Sequence, residues 1–237
     1  YYFKKEGDYL TFPWDKGTTV DDMERYYDEA KFSDWTHAIS KAPMVKMQHP
    51  DYEVYSTGIH AYRDIACADC HMPYRTEGGV KFTDHHIRSP LLDISNSCAV
   101  CHRWSEEEIR GRVESIQDKV RDGRTRAEGA IAKAHFDIAA CMEAGATDEE
   151  LAPPRDLLRK AQLRWDYVAA NNGMGFHSPQ ECQLALTAAV DLAHECRVEC
   201  GRILAKKGYT KEVNYPDFST KEKAEALNQA FIEGKGP

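Results

Sequence analysis

Apolar residues Ile109, Val113, Ile116 and Val120 recur at spacings of four, three and four, the period of one helical face. Ser105 and Glu108 precede that stripe in the arrangement of a capping box, so a long amphipathic helix is expected to start there and run to about Ala144. Gly145 stops it, and Thr147 with Glu150 opens another. Leu157, Leu158, Ala161, Trp165 and Val168 carry the second helical stripe up to a break at Asn171-Asn172-Gly173. Ser178-Pro179-Gln180-Glu181 then supplies an N-cap, a proline at the first helical position and a glutamate at the third, starting a helix that Lys206-Lys207-Gly208 closes. Before Trp104 the periodicity gives way to short helices and irregular, ligand-rich chain holding four of the six methionines. The expectation is a mainly α protein with an irregular region over 1–103 and a long-helix region over 104–237, read as one continuous structural unit. The stripes are read as core or subunit packing, an antiparallel bundle that also offers a dimer face.

Composition narrows the class. Charged residues make up 30% of the 237-residue chain and interrupt every apolar stretch well before the roughly 20 residues of a membrane span. The formal charge of -8 argues against nucleic acid as a partner, because phosphate binding needs a basic surface. Tyr1-Tyr2-Phe3-Lys4-Lys5 opens the sequence without the features of a secretory signal, so a processed or partial chain is expected.

Cysteine and histidine change the picture most. Cys67-Ala68-Asp69-Cys70-His71 and Cys98-Ala99-Val100-Cys101-His102 are two complete C-x-x-C-H motifs. In such a motif the thiols add across the vinyl groups of a haem and the adjacent imidazole becomes the proximal iron ligand. A zinc site shares the C-x-x-C spacing but needs neither terminal histidine. Covalent haem attachment of this type implies periplasmic residence. Of the eight cysteines, Cys141, Cys182, Cys196 and Cys200 remain and fall in helical segments. Cys196 and Cys200, at i and i+4, are badly placed for a disulfide with each other.

A haem that only transfers electrons takes a second strong axial ligand. His135 and His194 fall inside amphipathic helices and read as core or surface histidines, as does His37, beside Trp35 in an expected short helix. His60, His85 or His86, and His177 lie at breaks in the pattern and are the ligand candidates.

The runs Phe12-Pro13-Trp14-Asp15, Phe32-Ser33-Asp34-Trp35, Lys46-Met47-Gln48-His49-Pro50, Gly58-Ile59-His60, Cys67 to Pro73, Thr83-Asp84-His85 and Arg164-Trp165-Asp166, with Tyr1-Tyr2-Phe3, resemble the carboxy-terminal half of the pentahaem, ammonia-forming cytochrome c nitrite reductases. The resemblance implies His71 proximal and His177 distal on the haem at Cys67 and Cys70, and His102 and His60 on the haem at Cys98 and Cys101. It makes His85 distal to a haem attached elsewhere. Calcium, a hard cation that selects oxygen ligands, is implied at the backbone carbonyls of Tyr1 and Lys46 and the side chain of Gln48. Tyr1 and His49 match the family's active-site tyrosine and histidine.

That family binds its catalytic haem through C-x-x-C-K, which this sequence does not contain. The expected role is therefore the part of a periplasmic nitrite reductase that supplies two electron-transfer haems c, of five in the complete protein, and part of the pocket for nitrite. A quinol-linked cytochrome or membrane partner would donate electrons, and the long helices would form a homodimer. The competing expectation is a multihaem electron carrier without catalysis.

Overall fold

The computed structural model describes residues 17–235 and the short backbone strands β1 (Tyr2–Phe3) and β2 (Leu10–Thr11), which pair antiparallel. Helix α1 (Val20–Glu29) starts at Thr19, whose hydroxyl accepts from the Asp22 amide while Asp22 accepts back from Thr19. Strands β3 (Trp35–Thr36) and β4 (Pro43–Met44) form an antiparallel hairpin. Short helices α2 (Asp51–Ser56), α3 (Ile59–Tyr62) and α4 (Cys67–His71) lead to a second hairpin, β5 (Tyr74–Glu77) with β6 (Val80–Thr83). Gly78 and Gly79 turn it at φ of 55° and 79°, the left-handed region that an L side chain resists. Two 3-10 turns, Pro90–Leu92 and Cys98–Val100, precede the long helices α5 (Glu106–Glu143), α6 (Asp148–Ala169), α7 (Pro179–Lys206) and α8 (Lys221–Ile232).

The sequence pattern and the helices agree closely. Ser105 and Glu108 cap α5 reciprocally, with Glu108 accepting from the Ser105 amide at 2.8 Å. Thr147 and Glu150 do the same for α6, also at 2.8 Å. At 38 residues, α5 extends about 57 Å at 1.5 Å per residue. No helix among the described residues is long and apolar enough to cross a membrane.

Helix α6 runs through Pro153 and Pro154, which lack the amide hydrogen that a helix interior uses. Leu151, Pro154 and Leu158 are each less than 2% exposed, and this burial outweighs the lost backbone bonds.

His37 departs from expectation. It does not lie in a short helix but in the β3–β4 hairpin: its amide donates to the Ala42 carbonyl at 2.9 Å and its own carbonyl accepts from Lys41 at 3.0 Å. Lys41, at φ of 56°, makes the reversal that a helix cannot.

The chain divides into two compact units. One comprises 1–49, 123–170 and 184–237, the other 50–122 and 171–183. The first holds the main apolar core, in which Met44, Ala134, Ile138, Leu158, Ala193 and Cys200 are fully buried. Its stacked pair His37 and His135, ring centres 3.7 Å apart, sits with the Ser40 hydroxyl 2.9 Å from His135 Nδ1. The second unit buries few apolar side chains, chiefly Val54, Ile94, Ile109, Val113 and Val120, and contains both C-x-x-C-H motifs.

None of the eight cysteines is in a disulfide, and the four outside the motifs are buried. The Cys141 thiol donates to the Cys200 carbonyl at 3.4 Å, which together with burial pushes Cys141 up.

Candidate functional site

Five residues form α4, and they place Cys67 and Cys70 three apart, on one face of a single turn, with His71 at its end. Asp69 fixes the start of that turn by accepting from the Ala66 amide at 2.7 Å. In the second motif a 3-10 turn does the same work: the His102 amide donates to the Cys98 carbonyl at 2.9 Å, and the Ser97 hydroxyl anchors the turn on the Asp93 carbonyl at 2.7 Å.

Both expected histidine pairs come together in the second unit. The rings of His71 and His177 stand 6.3 Å apart at 66°, and those of His60 and His102 stand 6.2 Å apart at 87°. An iron held end-on by two imidazoles, with metal–nitrogen bonds of about 2.0 Å, keeps ring centres about 6 Å apart. Each spacing fits that requirement. The Nδ1 of His71 lies 3.0 Å from the Arg88 carbonyl, to which it donates, leaving Nε2 with the lone pair a metal needs. Burial lowers the pKa of His177, with nearby Asp51 opposing, and burial together with His102 lowers that of His60. Neutral imidazole is the ligating form. Ile59, Ile87 and Val100, each at least 63% exposed beside the motifs, add apolar surface of the kind a porphyrin covers. These residues fit covalent haem. Among the described residues no three His, Cys, Asp or Glu side chains are grouped as candidate ligands of one metal ion.

His177 is held from several sides. A Cβ on Gly58 would lie 1.9 Å from the His177 carbonyl oxygen, and one on Gly173 would lie 2.6 Å from the imidazole Nδ1. Tyr55 meets the ring edge-on at 5.9 Å. Asp51 ties the preceding loop, accepting from the Asn172 amide at 2.9 Å and from its side chain at 2.8 Å. Phe176 lies 6.3 Å from His60 and 6.5 Å from His177 by ring centres, beside both distal candidates.

His85 and His86 are both exposed after β6. His86 Nδ1 sits 2.8 Å from Asp84, a buried carboxylate that also pairs with Arg75 at 2.7 Å. The hydrogen bonds from His86 hold the Asp84 carboxyl below its ordinary range.

In the first unit, Asp166 accepts from Lys46 Nζ and from the Met47 amide, both at 2.7 Å, and Asp34 accepts from the Lys46 amide at 2.7 Å. Lys46, Gln48 and His49 are exposed, and His49 adopts φ of 47°. Tyr1 lies outside the described residues, so the two roles expected of it fall there as well.

Sequence reasoning missed Gly58, Gly173, Asp51 and the anchoring function of Asp166. The glycine of Gly58-Ile59-His60 and that of Asn171-Asn172-Gly173 were visible signals, because glycine marks close backbone approach. The partners of Asp166 are remote in sequence and left no trace.

Comparison with known proteins places this geometry. The cytochrome c-552 of Parabacteroides distasonis is 54% identical over 225 residues, covering 95% of this chain and 46% of that protein. That of Porphyromonas gingivalis is 52% identical over 234 residues, covering 99% and 47%. The chain thus spans about half the length of these curated relatives. Among solved structures, the cytochrome c nitrite reductase of Desulfovibrio desulfuricans ATCC 27774, whose catalytic subunit is described with two calcium sites, matches 90% of this chain and 49% of its own with a TM-score of 0.77 and 32% identity. The cytochrome c552 family profile matches residues 1–235, and the chain belongs to that family.

Proposed function

We propose that this chain supplies two bis-histidine haems c and part of the substrate pocket of a periplasmic nitrite reductase that forms ammonia. The observation that carries the reading is the meeting of His71 with His177 and of His60 with His102 at iron-spanning ring distances. The likeness to a cytochrome c nitrite reductase at 32% identity supports the choice of reaction. Bound haem supplies reversible one-electron transfer, and two such haems with both axial positions filled form a conduit. His85 is proposed as the distal ligand of a further haem of a five-haem assembly. Nitrite, a quinol-linked cytochrome or membrane donor, and a second copy joined through the long helices are the proposed partners.

On the substrate side, His49 is proposed to donate a hydrogen bond and protons to the bound anion, and Tyr1 to donate a hydrogen bond. Imidazole is suited to this because its unperturbed pKa of about 6.5 lets it exchange protons near neutrality. Calcium is proposed at the carbonyls of Tyr1 and Lys46 and at Gln48. Two observations support an ordered turn there: the grip of Asp166 on Lys46 and Met47, and the left-handed backbone of His49.

In the complete haem-loaded protein, nitrite should oxidise a reduced dye, and a high-spin haem signal should accompany the low-spin ones. His49→Asn should cut nitrite turnover by about 10²-fold while leaving haem content and reduction by the donor intact. Purely low-spin spectra without nitrite-dependent oxidation would identify an electron carrier. A wild-type rate in the His49 variant would remove that residue from the mechanism.

A further inference from the structure

Two residues beyond the second motif, Trp104 stacks on His102. Their ring centres lie 5.2 Å apart and the planes differ by only 10°. The other proximal histidine is fixed differently: His71 is steered by its hydrogen bond to the Arg88 carbonyl, whereas the His102 ring makes no hydrogen bond to the described residues. The indole, itself 59% exposed, is the ring that lies nearly parallel to the His102 imidazole. The Trp104 backbone leads directly into the cap of α5, where Ser105 and Glu108 exchange bonds of 2.8 Å and 3.2 Å. Across the site, His60 stands at 87° to His102.

That angle has an electronic meaning. Each imidazole donates π density into the iron d orbital perpendicular to its own plane. Crossed planes load two d orbitals equally and leave them nearly degenerate, whereas aligned planes split them. Axial ligands and their surroundings are principal levers on a haem's potential.

We propose that Trp104 is a positioning residue that holds the His102 imidazole plane crossed with that of His60, and so sets the ligand field and potential of the haem at Cys98 and Cys101. The inference rests on the two-haem reading above. Its rival is purely structural: Trp104 precedes the N-cap of α5 and Ile109, 5% exposed, is the fourth helical residue, the two positions of a hydrophobic staple. Leucine would preserve a staple but not a flat stack.

The test uses the oxidised, haem-loaded protein, read by low-temperature electron paramagnetic resonance and by spectroelectrochemical titration. Trp104→Leu should lower and broaden the largest g value of one low-spin signal and shift one midpoint potential, leaving the signal of the His71 and His177 haem as an internal control. Trp104→Phe, which keeps a ring, should stay near wild type. Ile109→Ala, which weakens the staple but spares the stack, should leave both signals in place. Wild-type g values and potentials in Trp104→Leu would overturn the proposal, as would an equal change in Ile109→Ala. If His60→Met also leaves both signals unchanged, the ligand assignment has failed rather than the role of Trp104.

Discussion

His71 and His177 face one another at 6.3 Å although one ends a five-residue helix and the other precedes a helix that begins beyond both α5 and α6. Replacing His177 or His60 by Met should leave both haems covalently attached, since thioether bonds do not depend on the sixth ligand. Mass spectrometry of the denatured protein should find two haem masses in either variant, while the optical spectrum and potential of one haem change. A bare polypeptide mass in the parent protein would end the haem reading, and an unchanged spectrum in a variant would strike that histidine from the ligands.

Gly58 tolerates no side chain, because its Cβ would lie 1.9 Å from the His177 carbonyl and 3.2 Å from that of Tyr55. Both obstacles are backbone atoms and cannot rotate away. Gly58→Ala should cost about 1–3 kcal/mol in denaturant unfolding and perturb the spectrum of the haem at Cys67 and Cys70. The same substitution at Gly201, where a Cβ meets nothing within 4 Å, should be nearly neutral or stabilising. Equal effects at the two positions would contradict the close approach.

Asp166 is 3% exposed and holds both Lys46 and Met47. Asp166→Asn keeps the shape but removes the charge, and should lower stability by about 1–2 kcal/mol, discounted because Lys46 is half exposed. Calcium content measured on the complete protein should fall in Asp166→Asn and in Gln48→Leu. Parent-level calcium in Gln48→Leu would show that its side chain is no ligand.

Burial pushes His37 down to about 4, with Lys41 adding to the effect, and burial followed by the neighbouring His37 pushes His135 down as well. Below the unfolded pKa of about 6.5, the unfolded chain binds protons that the folded pair refuses. Their contribution is therefore complete above about pH 6.5 and is lost as pH falls toward 4, with a limiting slope of about 1.4 kcal/mol per pH unit for each imidazole. Melting temperatures recorded across that range should fall toward acid, and His37→Gln should flatten the fall. A profile that is identical in parent and variant would mean that His37 does not carry it.

The long helices were legible because their signals are local. Ser105 with Glu108, and Thr147 with Glu150, lie three residues apart and make their capping bonds wherever the chain goes next. The two C-x-x-C-H motifs were legible for the same reason. His37 was misread because a few residues around Trp35 suit a helix or a hairpin, and the bonds to Ala42 and Lys41 that favour the hairpin become visible only in three dimensions. The residues alone left His85 and His86 open as ligand candidates, since adjacent histidines differ only in what surrounds them; in the structure His86 Nδ1 lies 2.8 Å from the Asp84 carboxylate.

By itself the sequence determined the helical class, the ends of α5, α6 and α7 and the presence of two C-x-x-C-H motifs, all of which depend on residues within one or two turns of each other, whereas α8 went unforeseen. Tertiary structure alone decided that Gly58 and Gly173 clear space for His177 and that Asp166 secures the Lys46–Met47 turn, while it brings His71 to His177 and His60 to His102 as the resemblance implied. It also carried α6 through Pro153 and Pro154, against local propensity. The physical reason is the same in each case: ligand spacing, close packing and burial are properties of atoms remote in sequence, and their free energy exists only once the chain has brought those atoms together.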